Sequence, residues 1–248
     1  MPMQYDKNFM QYAAQSSAYS ASSITGRLAP LLSVQSVLDV GCACGTWIRA
    51  WSEHGVADGF GVDGDYVDRG MLEIPAERFN AIDLNAAFDL GRTFDLVQSL
   101  EVAEHLQPAA SGRFVESLVR HASRFILFSA APPGQGGEYH INEQPFEFWR
   151  AELGKHGFVP IDAVRPLIQA DQNISYWYRY NVFLYVRREL AANLPAALRD
   201  ARVPESEKLA DVSPASFRIR KAVVRRLPYA WQSGAARLKA RLLPTGRI

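Results

Sequence analysis

Cysteine is scarce in this chain: two occur in 248 residues, at positions 42 and 44. Two cysteines in one short loop cannot cross-link a fold, so the sequence favours a reducing setting. No run reaches the roughly 18 apolar residues that a membrane-spanning helix needs. The opening segment, "MPMQYDKNFMQYAAQ", has no basic stretch followed by an apolar core. We therefore expect no secretory signal and a cytoplasmic protein.

Acidic residues are absent from the last part of the sequence. From Val212 onward there are nine Lys and Arg residues and no Asp or Glu, so residues 1–211 hold 18 basic and 26 acidic side chains, although the net charge is only +1. This asymmetry predicts a separate role for the tail. Either the basic tail packs on the acidic body, or it contacts a partner protein or the anionic inner face of a membrane.

The tail has the spacing of an amphipathic helix. In "FRIRKAVVRRL", Ile219, Val223 and Leu227 recur every four residues among basic side chains. Such a helix can lie on an anionic membrane surface. Pro228 is expected to break it, and the apolar pattern resumes beyond, at Tyr229, Trp231, Leu238 and Leu242.

The rest of the chain alternates strand-like and helical segments. Helices are predicted at 6–32, 45–55, 108–122 and 145–157, and strands at 36–40, 59–63, 78–83, 93–99, 124–133, 158–164 and 181–188. This order predicts an α/β domain with a mostly parallel, seven-stranded sheet and helices on both faces. We expect a helical cap (1–30), a central domain (31–190) and a basic helical extension (191–248).

The loop "GCACG" follows the first strand and opens a helix. Glycines at 41 and 45 allow positive φ and a close approach of a ligand to the backbone. Three interpretations remain open: a nucleotide-type loop, a metal or redox pair of cysteines, and an ordinary tight turn. Two thiolates alone cannot complete a structural zinc site, so we interpret Cys42 and Cys44 as small loop residues. The loop lacks the full G-x-G-x-x-G motif of dinucleotide-binding proteins, because Ala43 stands where that motif has its middle glycine.

Four segments together carry a resemblance to a known family. They are "VLDVGCACG", "GVDGD", "AIDLN" and "FDLVQSLEVAEHL". In this order they resemble motifs of the class I S-adenosylmethionine (SAM)-dependent methyltransferases, over roughly residues 30–190. The resemblance implies a Rossmann-like sheet and SAM as the cofactor. Ala43 departs from the glycine that is more usual at that position.

The resemblance also implies a set of cofactor-binding residues: Asp39, Gly41, Gly45, Asp63, Asp83, Leu84 and Ser99. Asp63 would accept both ribose hydroxyls, and Asp83 would accept from the adenine amino group. The alternatives are structural: Asp63 starts a turn, and Asp83 caps a helix. Asp39 would face the methionine portion, or be a buried polar group satisfied by loop amides.

Two groups of polar residues follow the later strands. Glu101, Glu104 and His105 have i, i+3, i+4 spacing and share a face if they form a helical turn. His140 lies in the Gly-rich segment "GQGGEYHINE". Glu101, Glu104, His105 and His140 form a candidate Mg²⁺ or Mn²⁺ site, similar to that of small-RNA 2'-O-methyltransferases, or else a structural turn. Without a metal, His140 is the candidate catalytic base, because histidine ordinarily titrates near neutral pH; alternatively it only orders Asn142 or Glu143.

The sequence therefore predicts a SAM-dependent methyltransferase acting on a hydroxyl of a small molecule or glycan. RNA 2'-O-methylation is the first alternative, although the acidic body is poorly suited to phosphate backbones and nucleic acid is not the expected partner. A SAM-binding scaffold without turnover is the second, and a nicotinamide-dependent oxidoreductase the third. The aromatic stretch 173–188 lines an acceptor pocket or belongs to the core.

Overall fold

The computed structural model describes the backbone of residues 7–227 and the side chains of residues 17–227. Its helices are α1 (Lys7–Leu32), α2 (Thr46–Glu53), α3 (Ser111–His121), α4 (Phe146–Gly154), α5 (Val164–Ile168), α6 (Tyr176–Asn181), α7 (Ala196–Arg199) and α8 (Ala215–Val224). Its strands are β1 (Ser36–Val40), β2 (Asp58–Asp63), β3 (Phe79–Ala81), β4 (Phe94–Leu100), β5 (Ala122–Ser129), β6 (Phe158–Ile161) and β7 (Phe183–Arg187). The predictions for Pro228, Tyr229, Trp231, Leu238 and Leu242 lie outside the described residues.

The strands form one sheet in the order β3-β2-β1-β4-β5-β7-β6. All neighbouring pairs are parallel except those that β7 makes with β5 and β6. This confirms the predicted seven-stranded, mostly parallel sheet. The strand order reverses between β1 and β4, and ligands of such sheets bind in the crevice outside the carboxyl ends at this point.

The central strands are apolar on both faces because helices cover both. In β1, Val37 belongs to the core cluster that includes α1, α2 and α5, whereas Leu38 belongs to the cluster under α3 and α4. Both side chains are fully buried. Strands covered on both sides lose the alternation of apolar and polar residues, which explains the run "SVLDV".

The segments flanking the sheet pack against it. Ile24, Leu28 and Leu32 of α1 are buried in the same core as the strands. The segment that follows β7 runs back along β6. Its Ala201 carbonyl accepts the N–H of Asp162, the residue after β6, at 2.9 Å. The division into cap, central domain and extension remains a sequence prediction.

Arg165 fastens the chain that leads to α8. Its side chain is 1% exposed and forms an ion pair with Asp162. It also donates to the carbonyl oxygens of Tyr180 and Ala210, at 3.1 and 2.7 Å, and its guanidinium lies over the ring of Phe183. A buried cation requires several such partners, so this arginine ties the segment near residue 210 to the core.

Several elements differ from the prediction. The strand predicted at 158–164 ends at Ile161, and Val164 instead begins α5. The third strand is shorter than expected and ends at Ala81, because the chain then turns around the Asp83 carboxylate, which accepts the Asn85 N–H at 2.9 Å. The aromatic stretch 173–188 divides into α6 and β7. The fifth strand ends at Ser129, ahead of the two prolines. Within residues 7–227, no helix has both the length and the apolar character that crossing a bilayer requires.

Candidate active site

The loop between β1 and α2 depends on its glycines. Gly41 and Gly45 have φ of +85° and +87°. A Cβ on Gly41 would lie 2.3 Å from a methyl carbon of Val102, and one on Gly45 would lie 2.9 Å from Ile74. Neither position accepts a side chain. Ala43, where a glycine is more usual, also has a positive φ, of +48°.

The two cysteines of this loop are buried free thiols. They pack with Ile48, Val67 and Phe79 in a small apolar cluster. Burial raises the pKa of both thiols, which makes them poor nucleophiles and poor metal ligands. The arrangement supports their interpretation as small loop residues.

Asp63, the last residue of β2, binds the glycine loop. Its Oδ2 accepts the Ala43 N–H at 2.7 Å, and its Oδ1 accepts the Gly64 N–H at 2.7 Å and the hydroxyl of Tyr66. Burial raises its pKa, and the three hydrogen bonds partly offset that rise. The carboxylate thus faces the loop at the carboxyl edge of the sheet.

Asp39 lies one strand away and is only 3% exposed. Its Oδ2 has no hydrogen-bond partner among the described residues. Burial raises its pKa from 3.8 to about 7, an effect that Gln98 reduces and the charge of Asp63 increases. A buried acceptor without a donor is costly, so this oxygen is suited to a cationic or N–H group of a ligand. Satisfaction by loop amides, the structural alternative for Asp39, is not seen at this oxygen.

A strap comprising residues 68–75 crosses the start of α2. The Glu73 carboxylate accepts from the Thr46 hydroxyl at 2.8 Å and from Arg49 Nε at 2.6 Å. The Glu73 N–H donates to the Cys44 carbonyl at 2.7 Å. These contacts hold Ile74 over Gly45. The strap therefore covers one side of the glycine loop.

The remaining predicted cofactor residues are placed differently from one another. Asp83 is exposed, and its Oδ1 accepts from both the backbone and the side chain of Asn85, which is turn chemistry. Leu84 is buried in the core under α3 and α4. Ser99 is fully buried and donates to the Val40 carbonyl at 2.8 Å. Ser99 thus supports the switch point between β1 and β4 from within the sheet.

Three of the four predicted metal ligands, Glu101, Glu104 and His105, lie in the turn after β4. Glu101 has a φ of +57° and accepts from Gln135 Nε2 at 2.9 Å and Asn181 Nδ2 at 3.2 Å. Its carboxylate therefore lies with two side-chain amides. Burial raises its pKa, and these amides limit the rise.

Glu104, His105 and His140 converge. One possible ligand atom from each lies within 4.8 Å of the others, and Glu101 is not part of this group. Glu104 is completely buried, and neither carboxylate oxygen has a hydrogen-bond partner among the residues described. Burial and the charge of Glu101 raise its pKa well above the usual range. Burial and the neighbouring His140 lower the pKa of His105 to about 3.

His140 is oriented by Glu143. His140 Nδ1 lies 3.0 Å from Glu143 Oε1, and the Glu143 carboxylate also accepts the N–H groups of Gly134 and Gly136 at 2.7 Å each. A carboxylate accepts here, so Nδ1 carries the proton and Nε2 has the lone pair. A Cβ on Gly137 would lie 2.1 Å from Nε2, so a side chain there would collide with the imidazole.

Asn142, the other expected partner of His140, has a structural role. It is buried and donates to the Ala103 carbonyl at 3.1 Å and to the Ser111 hydroxyl at 3.0 Å. These bonds tie the Gly-rich loop to the turn that carries Glu104. The loop and the turn therefore form one unit.

A family model described as a methyltransferase domain matches residues 11–162. The chain belongs to the methyltransferases. Its sheet order and motifs place it in the class I SAM-dependent group, as the sequence resemblance predicted. A comparison with curated proteins gives no match.

Solved structures share the fold of this methyltransferase. The sugar N-methyltransferase KedS8 from Streptoalloteichus sp ATCC 53650 is 21% identical, with a TM-score of 0.51 over 71% of this chain and 88% of that one. SAM-bound CalS10, an amino pentose methyltransferase from Micromonospora echinaspora, is 15% identical, with a TM-score of 0.51 over 75% and 99%. Human N-acetylserotonin methyltransferase in complex with SAM is 14% identical, with a TM-score of 0.52 over 72% and 55%.

Sequence reasoning missed four residues of the methyltransferase site: Tyr66, Glu73, Gln135 and Asn181. Tyr66 is close to Asp63 in the chain, and a tyrosine beside an acidic strand end was an available signal. The other three act across long sequence separations, since Asn181 is 80 residues from the Glu101 that it contacts. No local pattern marks such residues.

The pKa of Asp39 predicts a pH-dependent stability for the ligand-free methyltransferase. The folded state binds a proton at Asp39 more tightly than the unfolded state does, so the contribution to stability is greatest below about pH 4 and falls as the pH rises to about 7. The loss is at most about 4 kcal/mol. Asp39→Asn stays neutral, so its stability relative to wild type should increase through this range in denaturant titrations.

Asp89→Asn is the matched control. Asp89 is exposed, and the Gly91 N–H is the main cause that lowers its pKa. Because the pKa of Asp89 is lowered, the stability of Asp89→Asn relative to wild type should fall slightly, and not increase, as the pH rises. An Asp39→Asn variant whose stability difference from wild type is the same at pH 4 and pH 8 would contradict the assignment.

Proposed function

We propose that this enzyme methylates a hydroxyl group of a small molecule or glycan, with His140 as general base. The observation that carries the proposal is the His140–Glu143 pair. The carboxylate fixes the tautomer that leaves Nε2 as a proton acceptor, which is how a base is prepared in many enzymes. SAM supplies an electrophilic methyl group when bound.

The glycine-loop region fits SAM. Asp63 is a buried carboxylate at the strand end where related folds read a ribose, and it can take ribose hydroxyls in place of the Tyr66 hydroxyl. Asp39 presents an acceptor oxygen without a partner, which suits the ammonium group of the methionine portion. The start of α2 supplies backbone N–H groups, whereas the N–H groups of Gly41 and Gly45 already donate to the carbonyls of Val62 and Cys42. Asp83 remains the proposed acceptor of the adenine amino group, with Leu84 beside it.

Methyl transfer to a hydroxyl requires alignment and the loss of one proton. When bound, SAM would supply the methyl group for the new O–C bond as its sulfonium S–C bond breaks, and Nε2 of His140 would accept the hydroxyl proton. The Glu143 carboxylate stabilises the resulting imidazolium. Because Gly134 and Gly136 hold this carboxylate through their N–H groups, the loop holds the base in one orientation.

A small cavity between α6 and α8 lies beside the loop that holds Glu143. Its walls include Tyr176, Phe217 and the side-chain amides of Gln135 and Asn181. These amides bond each other and Glu101, so the cavity is closed to a ring-sized acceptor in this structure. The acceptor class is instead supported by structures that share the fold. KedS8 and CalS10, which share the fold, act on sugars.

The buried acid Glu104 supports a second proposal, that Mg²⁺ or Mn²⁺ binds at Glu104, His105 and His140. Two carboxylate oxygens without donors, beside two imidazoles, form a mixed O/N ligand set for such an ion. Glu101 would then contribute charge from outside the cluster. A bound cation would lower the acceptor's pKa, and His140 would be a ligand instead of the base.

The SAM assignment predicts the behaviour of Asp63→Asn. SAM and S-adenosylhomocysteine should bind about 10- to 100-fold more weakly, because ribose hydroxyls lose a charged acceptor. Calorimetry measures this. Tyr66→Phe is the control: it removes a donor that competes for Asp63, so affinity should not fall. Unchanged affinity in folded Asp63→Asn would refute the assignment.

The base assignment predicts that His140→Ala lowers turnover about 10²- to 10⁴-fold while SAM affinity stays unchanged. Glu143→Gln should lower turnover less, because it misorients the imidazole without removing it. Methyl transfer to a panel of glycans and small hydroxylated acceptors, followed by mass spectrometry, measures both. The exposed His54→Ala is the matched control. If the turnover of His140→Ala stays within a few-fold of wild type, His140 is not the base and has only a structural role.

The metal proposal predicts a separate result. Exhaustive chelation should abolish turnover, and Mn²⁺ should restore it. Mn²⁺ binding, followed directly by electron paramagnetic resonance, should be lost in Glu104→Gln and kept in Glu116→Gln, an exposed glutamate on α3. Full activity after chelation, with no bound Mn²⁺, would contradict the metal proposal and leave His140 as the proposed base. Binding of SAM without transfer to any acceptor would instead favour a scaffold.

A further inference from the structure

Helix α8 exposes a row of aliphatic side chains. Ile219 and Val223 are 66% and 54% exposed, and Leu227, in the turn that follows, is 38% exposed. Their four-residue spacing puts them in one row along the helix. Single exposed apolar residues are common on protein surfaces, but a continuous row marks an interaction surface.

The opposite side of α8 is attached to the enzyme. Phe217 contacts the rings of Tyr176 and Tyr180, and Arg220 donates to the Gln135 carbonyl at 2.9 Å. Lys221 forms an ion pair with Asp211 at 2.6 Å. The helix is therefore anchored, and its aliphatic row faces outward. One alternative from the sequence was that the basic tail packs on the acidic body. The inner face of α8 makes such contacts.

The charge around this row has one sign. Arg218, Arg225 and Arg226 are all exposed on α8 and its following turn. The sequence from Val212 onward has nine basic residues and no acidic one, whereas residues 1–211 have an excess of acidic residues. This separation of charge would orient the molecule with α8 towards an anionic surface.

We propose that the outer face of α8 docks on an anionic lipid surface, with Ile219 and Val223 entering the interface and the arginines contacting headgroups. A helix with an aliphatic row, a basic polar face and little overall hydrophobicity is the form that lies in a membrane interface. A lipid surface accommodates a single linear row without a matching groove. The charge asymmetry supplies the preference for anionic lipid.

Docking would bring the Gly-rich loop next to the membrane. The helix that carries the aliphatic row contacts this loop, because Arg220 donates to the Gln135 carbonyl at 2.9 Å.

Co-sedimentation of the full chain with vesicles tests the proposal. The protein should bind vesicles of phosphatidylcholine mixed with phosphatidylglycerol at low salt, and should not bind pure phosphatidylcholine. The double variant Ile219→Asp, Val223→Asp should bind at least about tenfold more weakly. Leu167→Asp is the matched control because Leu167 is also exposed, at 44%, but belongs to a different helix, α5. Calorimetry with SAM and a thermal melt verify that each variant is folded.

Charge variants test the electrostatic part. Arg225→Gln with Arg226→Gln should weaken binding roughly fivefold for each arginine and reduce its salt dependence. Arg188→Gln, an exposed arginine paired with Glu205, should have no effect. Failure of the full-length protein to bind anionic vesicles at low salt would overturn the proposal. So would binding that survives the aspartate pair, or self-association that the aspartate pair abolishes, which would assign the face to a second copy.

Discussion

The cost of burying negative charge at one edge of the sheet governs this site. Asp39, Asp63, Glu101 and Glu104 all lie near the carboxyl ends of parallel strands, and burial raises the pKa of each. Two of them are satisfied internally, Asp63 by loop N–H groups and a tyrosine, and Glu101 by two side-chain amides. Asp39 and Glu104 each retain carboxylate oxygens without a donor. Those two positions are where a ligand gains most by binding.

The Gly-rich loop connects the parts of the site. Its Gly134 and Gly136 N–H groups hold Glu143, which orients His140, while Gln135 between them contacts Glu101. The Gln135 carbonyl in turn accepts from Arg220 of α8. His140, the Gly-rich loop and helix α8 are therefore connected through a few backbone atoms. Gly134 and Gly136 have positive φ, and a Cβ on Gly134 would lie 2.1 Å from the Lys221 carbonyl oxygen, so the loop requires glycine there.

Helix α8 has two different faces, and each bears on function. The inner face completes the cavity and contacts the loop, whereas the outer face combines aliphatic and basic side chains. Solved structures with TM-scores just above 0.5 share the sheet but cover only about three quarters of this chain. The sheet is thus shared with these structures, and a shared fold does not by itself assign the acceptor.

The sequence alone determined the sheet and the glycine loop, because these depend on local patterns: doubly buried strands and turn glycines. The chemical class came from the resemblance of four motifs to a known family. The sequence also determined the spacing of the aliphatic row on α8. Only the tertiary structure decided that Glu104 converges with His105 and His140 while Glu101 lies with Gln135 and Asn181. It likewise decided that the side chains of Ser99 and Leu84 are buried and that Glu73 straps the loop. Those outcomes depend on contacts across tens of residues, and side-chain spacing along one segment carries no information about what another segment brings beside it.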